Sequence, residues 1–256
     1  MDDRASVRTI DRMVEVLDCF STDRPAWSLA ELSARLELPK STLHRFLVGL
    51  ERNGLARRGH EDGKWRLGHR LVIWGNLAAA TTGITHIAAP LMRELAETTR
   101  ETVLLTEYHD GEVICMDKIE TSHSVRIGLE VGERRAPHAG ASSKVLMAYL
   151  PEAEIAALIA EKGLPRYCSQ TITDPELLRR ELALIRQNGY ALSYEETDCG
   201  AWGIATPVRD WNGRVVAALG IAGPTVRYSE EAAQRYVERC CQAAARLSKL
   251  LGATVE

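Results

Sequence analysis

The stretch from Ser28 to Arg58 constrains the fold of this chain more than any other. Ser28 followed three residues later by Glu31 forms a capping box, in which each side chain takes a free backbone donor of the other residue. A helix therefore begins at Leu29, and Leu29, Leu32 and Leu36 lay one apolar stripe along it. Glu37 and Leu38 make a short turn, and Pro39 suits the first turn of a second helix starting near Lys40. Leu43, Phe46, Leu47 and Leu50 recur at helical spacing and turn toward a core, until Asn53-Gly54 stops the helix.

That arrangement leaves Lys40, Ser41, Thr42, His44 and Arg45 outward around the start of the second helix. A helix N-terminus attracts phosphate, small hydroxyls bond phosphate or base edges, and an arginine forks onto guanine. Leu55–Arg58 and Lys64–Leu67 then flank a loop, Gly59–Gly63, and read as a hairpin. A helix pair followed by a basic hairpin is a winged helix-turn-helix, with Arg57, Arg58 and Lys64 placed for the DNA backbone and Ser28 at the start of the first helix. A solvated helix face is the competing reading of any one of these side chains. The wing tip, Glu61-Asp62, is acidic and argues against base contact there.

Charge supports DNA binding only weakly. The net charge is −3, with 13 basic against 11 acidic residues in 1–70 and 19 against 24 beyond. Affinity must come from placement and from two copies more than from bulk charge. A 5% aromatic content disfavours a stacking surface for single strands. With no apolar run near the roughly 18 residues of a membrane span, a cytoplasmic protein without membrane contact is expected. Cys19, Cys115, Cys168, Cys199, Cys240 and Cys241 form no Cys-x-x-Cys pair, and reduced, mostly buried thiols are expected. A metal site built from His109, Cys115, His123 and His138 is a minor alternative to no metal at all.

Ahead of the capping box, Val7, Ile10, Val14 and Leu17, broadened by Met13, Val16 and Phe20, mark a helix packing on the pair. After it, His69–Thr82 reads as a linker helix with Leu71, Trp74 and Ala78 on a seam suited to self-pairing. Ile84–Thr98 continues helically, with Pro90 as a kink or a new first turn. From Thr102 the period changes: 102–108, 112–118 and 123–129 read as strands, the first two joined by Asp110-Gly111. Helices are expected at 141–150, 152–160 and 175–188, and from a Ser229 cap to about Leu251, with strands 203–209 and 214–222 joined through Asn212-Gly213. The class is α+β with a mostly antiparallel sheet, and the boundaries are 1–68 for the winged domain, 69–82 for the linker and 83–256 for the second domain.

The run Leu38–Leu47 resembles the recognition helix of IclR-type bacterial transcriptional regulators. His138–Val145, Gly189-Tyr190 with Glu195-Glu196, Ile204–Val208 and Gly220–Pro224 are similar, in the same order, to that family's effector domain, so the resemblance spans nearly the whole chain. It implies a GAF-like or PAS-like fold, no cofactor, and a pocket for a small organic, carboxylate-bearing effector. By resemblance the pocket is formed by Gly140, Ala141, Ser142, Ser143, Ser193, Ala201, Gly203, Gly220 and Ala222. Free amides at the helix start after Gly140 suit a carboxylate, while Ser142 and Ser143 also read simply as capping residues. Smaller side chains at Gly203, Gly220 and Ala222, fewer hydroxyls and a nearby Trp202 depart from the family pattern and imply a larger or more apolar ligand than a two- or three-carbon oxo acid.

The resemblance implies a regulator, repressor or activator, acting on a palindromic DNA operator as a homodimer, with a dimer of dimers as the higher assembly. The rival reading is a hydrolase-like enzyme using Ser142 or Ser143. Ala141 stands where a Ser-x-x-Lys motif needs its serine, and neither a nucleophile elbow nor a phosphate loop occurs.

Overall fold

In the computed structural model, which describes residues 3–21, 24–81 and 83–254, the chain divides into two compact units, Met1–Thr82 and Gly83–Glu256. Side chains of residues 3–8, 75, 76 and 78–81 lie outside the description, so Val7 of the expected first-helix face and Ala78 of the linker seam are not placed.

The first unit runs α1 (Asp3–Leu17), α2 (Leu29–Leu36), α3 (Lys40–Arg52), β1 (Ala56–Arg58), β2 (Trp65–Leu67) and α4 (Arg70–Thr81). Both halves of the capping box are present: Glu31 N–H donates to Ser28 Oγ at 3.3 Å, and Ser28 N–H donates to Glu31 at 2.8 Å. These bonds from Ser28 hold the Glu31 carboxyl down at about 2. Glu37 closes α2 in a left-handed conformation, and α3 starts directly after Pro39. Leu32, Leu43, Leu47, Leu50, Val16, Trp27, Ala56 and Trp65 form the core. Burying a leucine of this kind contributes about 1.5–3 kcal/mol relative to leaving it exposed.

Two features differ from the sequence reading. Met13, Val16 and Leu17 carry the contact of α1 with the core, joined by Phe20 just beyond its end, while Ile10 and Val14 stay exposed because the inward stripe is set by Val16 and its neighbours. Trp27 also pairs antiparallel with Trp65, exchanging both backbone hydrogen bonds at 3.0 and 2.7 Å, so the segment before α2 extends the wing sheet.

The second unit runs α5 (Ile84–Thr99), β3 (Thr102–His109), β4 (Glu112–Ile119), β5 (Arg134–Arg135), α6 (Ala141–Ala148), α7 (Glu152–Lys162), α8 (Pro175–Asn188), β6 (Ala191–Tyr194), β7 (Ala201–Arg209), β8 (Val215–Pro224) and α9 (Glu230–Leu250). Its six strands are ordered β5-β4-β3-β8-β7-β6, with every neighbouring pair antiparallel. The class is α+β. On one face Leu91, Met92 and Leu95 of α5 and Cys240, Ala244 and Leu247 of α9 pack on Val103, Leu105, Ile204, Leu219 and Ile221. On the other, Val145 and Leu146 of α6, Ile155 of α7 and Leu178, Leu182 and Ile185 of α8 pack on Val113, Ala191, Ala205 and Ala218.

Asp174 accepts from Glu176 and Leu177 N–H and Ser229 from Ala232 N–H, as the capping signals predict. α5 passes through Pro90 as one helix. The expected strand at 123–129 is absent, because the edge of β4 is already taken: Cys115 exchanges backbone bonds with Glu133 and Gly132, and Val113 and Ile114 pair with Arg135 and Arg134. Residues 123–129 instead run as irregular chain with Leu129 buried against Leu104 and Cys115. Asn212-Gly213 does not form a two-residue hairpin; only Gly213 has positive φ, and the turn spans Asp210–Arg214, with Asp210 Oδ1 accepting from Asn212 and Arg214 N–H.

The expectation of free thiols fails at one pair. Cys168 and Cys199 form a disulfide with Cα atoms 5.6 Å apart, joining the segment before α8 to the loop after β6. A separation of 31 residues carries no motif that a sequence could reveal. Cys115 and Cys240 are buried free thiols, and Cys19 and Cys241 are half-buried.

Candidate functional site: a recognition helix and an effector cavity

α3 presents Lys40, Ser41, His44 and Arg45 exposed, with Thr42 half-buried, along the face opposite Leu43, Leu47 and Leu50. In the wing, Arg57 and Arg58 are exposed and Lys64 half-buried. Arg58 Nε donates to Gly63 O at 3.2 Å. Of the acidic tip, Asp62 is paired internally: Arg66 forks onto both its oxygens at 3.1 and 2.6 Å, holding that carboxyl well below the usual range, while Glu61 stays exposed. Ser28 spends its hydroxyl on the cap of α2.

The second unit holds a cavity of about 680 Å³, counting its open mouth, between the start of α6, the sheet and the loop after β6. Gly140, Ala141, Ser142, Ser143, Ser193, Ala201, Gly203 and Ala222 all line it. Gly220 is not among the lining residues; it lies behind Ser142, where an added Cβ would stand 2.7 Å from Ser142 Oγ. Gly203 likewise faces Ala141, whose Cβ would lie 3.5 Å from one built on the glycine. These glycines let the first turn of α6 settle onto the sheet.

Gly140 occupies the N-cap position of α6 at φ +87°, and a side chain there would meet Thr197 Oγ1 at 2.6 Å. No side chain caps the helix, so the capping reading of Ser142 and Ser143 fails. Both sit within the first turn, where backbone N–H groups lack intrahelical acceptors. Neither hydroxyl meets a base among the described residues.

Lys144 is the buried group that organises this corner. Its Nζ donates to Glu196 at 2.6 Å, Glu181 at 2.7 Å and Leu192 O at 3.0 Å. Glu196 also accepts from Gly140 N–H at 3.1 Å, and its backbone oxygen accepts from Thr171 Oγ1 at 2.6 Å. Burial pushes the Glu196 carboxyl up, against the pull of Lys144. One ion network thus clamps the start of α6 to the loop that forms the cavity's other lip.

Apolar lining that the sequence reading missed comes from Leu104, Val113, Cys115, Ile127 and Leu129, and polar lining from Thr106, Arg135, Thr197 and Asp198. Leu129 and Ile127 belong to the stretch misread as a strand, and Arg135 to the two-residue strand β5, too short to carry a signal. Trp202, expected near the pocket, is among the lining residues, while its indole also packs into the α5/α9 core, donating to Pro224 O at 3.1 Å and stacking on Tyr236. His109 bonds Glu107 and His138 bonds Pro165 O; among the described residues no three potential metal ligands converge. No described helix is long and apolar enough to cross a membrane.

Residues 9–60 match the model of the IclR helix-turn-helix domain, and residues 77–249 that of the bacterial transcriptional regulator IclR C-terminal domain. The chain is 33% identical over 247 residues to the HTH-type transcriptional regulator KipR of Bacillus subtilis (strain 168), covering 96% of this chain and 98% of that one. It is 32% identical over 247 residues to the HTH-type transcriptional regulator BhcR of Paracoccus denitrificans (strain Pd 1222), covering 96% and 88%. Among solved structures, an IclR homologue from Microbacterium hydrocarbonoxydans complexed with 4-hydroxybenzoate is 32% identical, with a TM-score of 0.62 over 96% of this chain and all of that one. With both halves matched in order, the chain belongs to the IclR family: it is a DNA-binding transcription regulator and not an enzyme.

Proposed function

We propose that this regulator reads DNA with α3 and responds to a small organic acid with an apolar body held at the start of α6. The observation that carries the reading is the cavity: the first-turn amides of Ala141–Ser143 with the hydroxyls of Ser142 and Ser143 at one end, and Leu104, Ile127 and Leu129 on its walls. Charge is bound at the first, and the apolar body is desolvated by the second. The 4-hydroxybenzoate bound by the Microbacterium relative has this chemistry and supports an acid larger than a two- or three-carbon oxo acid.

In this reading Lys40, Ser41, Thr42, His44 and Arg45 face the major groove, while Arg57, Arg58 and Lys64 hold phosphates, with Ser28 at the backbone-facing start of α2. Residues 1–68 are the DNA-binding domain, 69–82 the linker and 83–256 the effector domain. Val72, Ile73, Trp74 and Leu77 are exposed along α4. Such an apolar face supports self-pairing into a homodimer on a palindromic operator with half-sites about 34 Å apart, and dimers of dimers on longer operators. The protein works where its DNA is, in the cytoplasm.

Selection of bound sequences from a random DNA pool tests this. A palindromic consensus is expected, and Arg45→Ala should relax preference at one position per half-site by about 1–3 kcal/mol. A pool left unenriched, or a consensus unchanged in the variant, would remove α3 from the readout.

A further inference from the structure

Arg135 is the lone cation and Asp198 the lone anion among the described residues lining the cavity. Arg135 ends β5 opposite Val113, and its side chain is only 27% exposed. One guanidinium nitrogen, Nη2, sits 2.8 Å from Glu133. The other, Nη1, reaches Asp198 through a single bond of 3.3 Å, and Asp198 is half-exposed on the loop after β6. A guanidinium fork matches a carboxylate in geometry as well as charge. Here the Glu133 side of the fork sits in an ion pair at 2.8 Å, while the side toward Asp198 is held by one long bond.

We propose that Arg135 is the specificity-determining residue that selects a carboxylate effector, with Asp198 standing in for the ligand's carboxylate until the ligand displaces it. The proposal rests on the cavity being the effector site. The acid's charge then lies between Arg135 and the amides opening α6, and its apolar body against Leu104, Ile127 and Leu129. Displacement frees Asp198, and with it the loop that Glu196 and the Cys168–Cys199 bond tie to α6 and to the segment before α8. The neighbouring Arg134 provides an internal contrast: it is 57% exposed, paired with Glu112, and absent from the cavity lining.

The test is calorimetry on the full chain with paired probes: benzoate, 4-hydroxybenzoate, phenylacetate and hexanoate, each against its uncharged amide. At least one acid should bind about tenfold or more tighter than its amide, a difference of about one charge-assisted contact. Arg135→Leu should erase that preference while leaving the amide's affinity within about twofold, and Arg135→Lys should keep part of it. Asp198→Asn should raise the acid's affinity by removing the competitor, and Arg134→Leu should change nothing. Thermal unfolding of each variant checks that it folds. Ala222→Phe, which fills the cavity, separates the two levels of the argument. Binding untouched by Ala222→Phe overturns the choice of site. Binding abolished by Ala222→Phe but unchanged by Arg135→Leu overturns the role of Arg135 alone. A panel in which no acid outbinds its amide overturns it as well.

Discussion

Replacing Lys144 with methionine removes a cation that is 1% exposed and keeps most of its volume. Two carboxylates lose their partner. Glu181 is 29% exposed and regains water, so the cost concentrates on Glu196, 8% exposed, whose remaining side-chain donor is Gly140 N–H. Removing one member of a buried ion pair costs about 3–5 kcal/mol. At roughly 2–4 °C per kcal/mol for a domain of this size, the effector domain should melt about 6–20 °C lower near neutral pH.

The sign of the pH dependence follows from Glu196. Burial already raises its carboxyl in the folded protein, and without Lys144 it rises further. Above the ordinary value of 4.5 the unfolded chain has lost this proton while the folded variant still holds it, so the variant's stability falls as pH rises across that window. The deficit against wild type should therefore be smaller at about pH 5 than at about pH 8. Glu196→Gln placed on the Lys144→Met background keeps an acceptor for Gly140 and removes the stranded charge, and should recover much of the loss. Thermal melts by circular dichroism at the two pH values check all three points. A variant that melts with wild type at high pH, or that loses more at low pH, would refute the claim that this network holds the start of α6.

Other consequences are simpler to measure. The Cys168–Cys199 bond closes a 31-residue separation, so reduction or a double serine variant should cost about 3–4 kcal/mol in loop entropy. Alkylation of the protein unfolded without reductant should count four free thiols, and six would refute the link. His138 is buried with Nε2 3.0 Å from Pro165 O, and burial holds its pKa below the ordinary 6.5. Below that value the unfolded chain gains a proton that the folded one refuses, so stability drops as pH falls toward the folded pKa. Urea midpoints between about pH 5 and 7 should show that slope in wild type and a shallower one in His138→Gln.

The winged helix was legible because its signals are local. A capping box, a proline after a two-residue turn and leucines at helical spacing each act within a few residues, and α2 and α3 begin where those signals put them. The cavity was legible only in part. Gly140–Ser143 and the small residues of β7 and β8 stand in recognisable motifs, whereas Arg135, Asp198 and Leu129 reach the cavity through β5, a loop and irregular chain with no periodicity of their own. The reading of 123–129 as a strand failed because alternating apolar residues look the same whether the sheet edge is open or already taken by Arg134 and Arg135. Lys144 and Glu196, 52 residues apart, meet only once α6 and the loop after β6 share a corner, and the Cys168–Cys199 bond is hidden for the same reason.

Under the proposed function, occupancy of the α6 cavity controls what α3 does on DNA. Its most direct test is fluorescence anisotropy of a selected operator titrated with the full chain, with and without a saturating acid from the probe panel, for wild type and for Ala222→Phe. The expected result is a roughly 5- to 150-fold change in operator affinity for wild type, matching a coupling of about 1–3 kcal/mol, and an unchanged affinity for the filled-cavity variant. An acid that saturates the cavity while leaving the operator isotherm where it was would contradict the account.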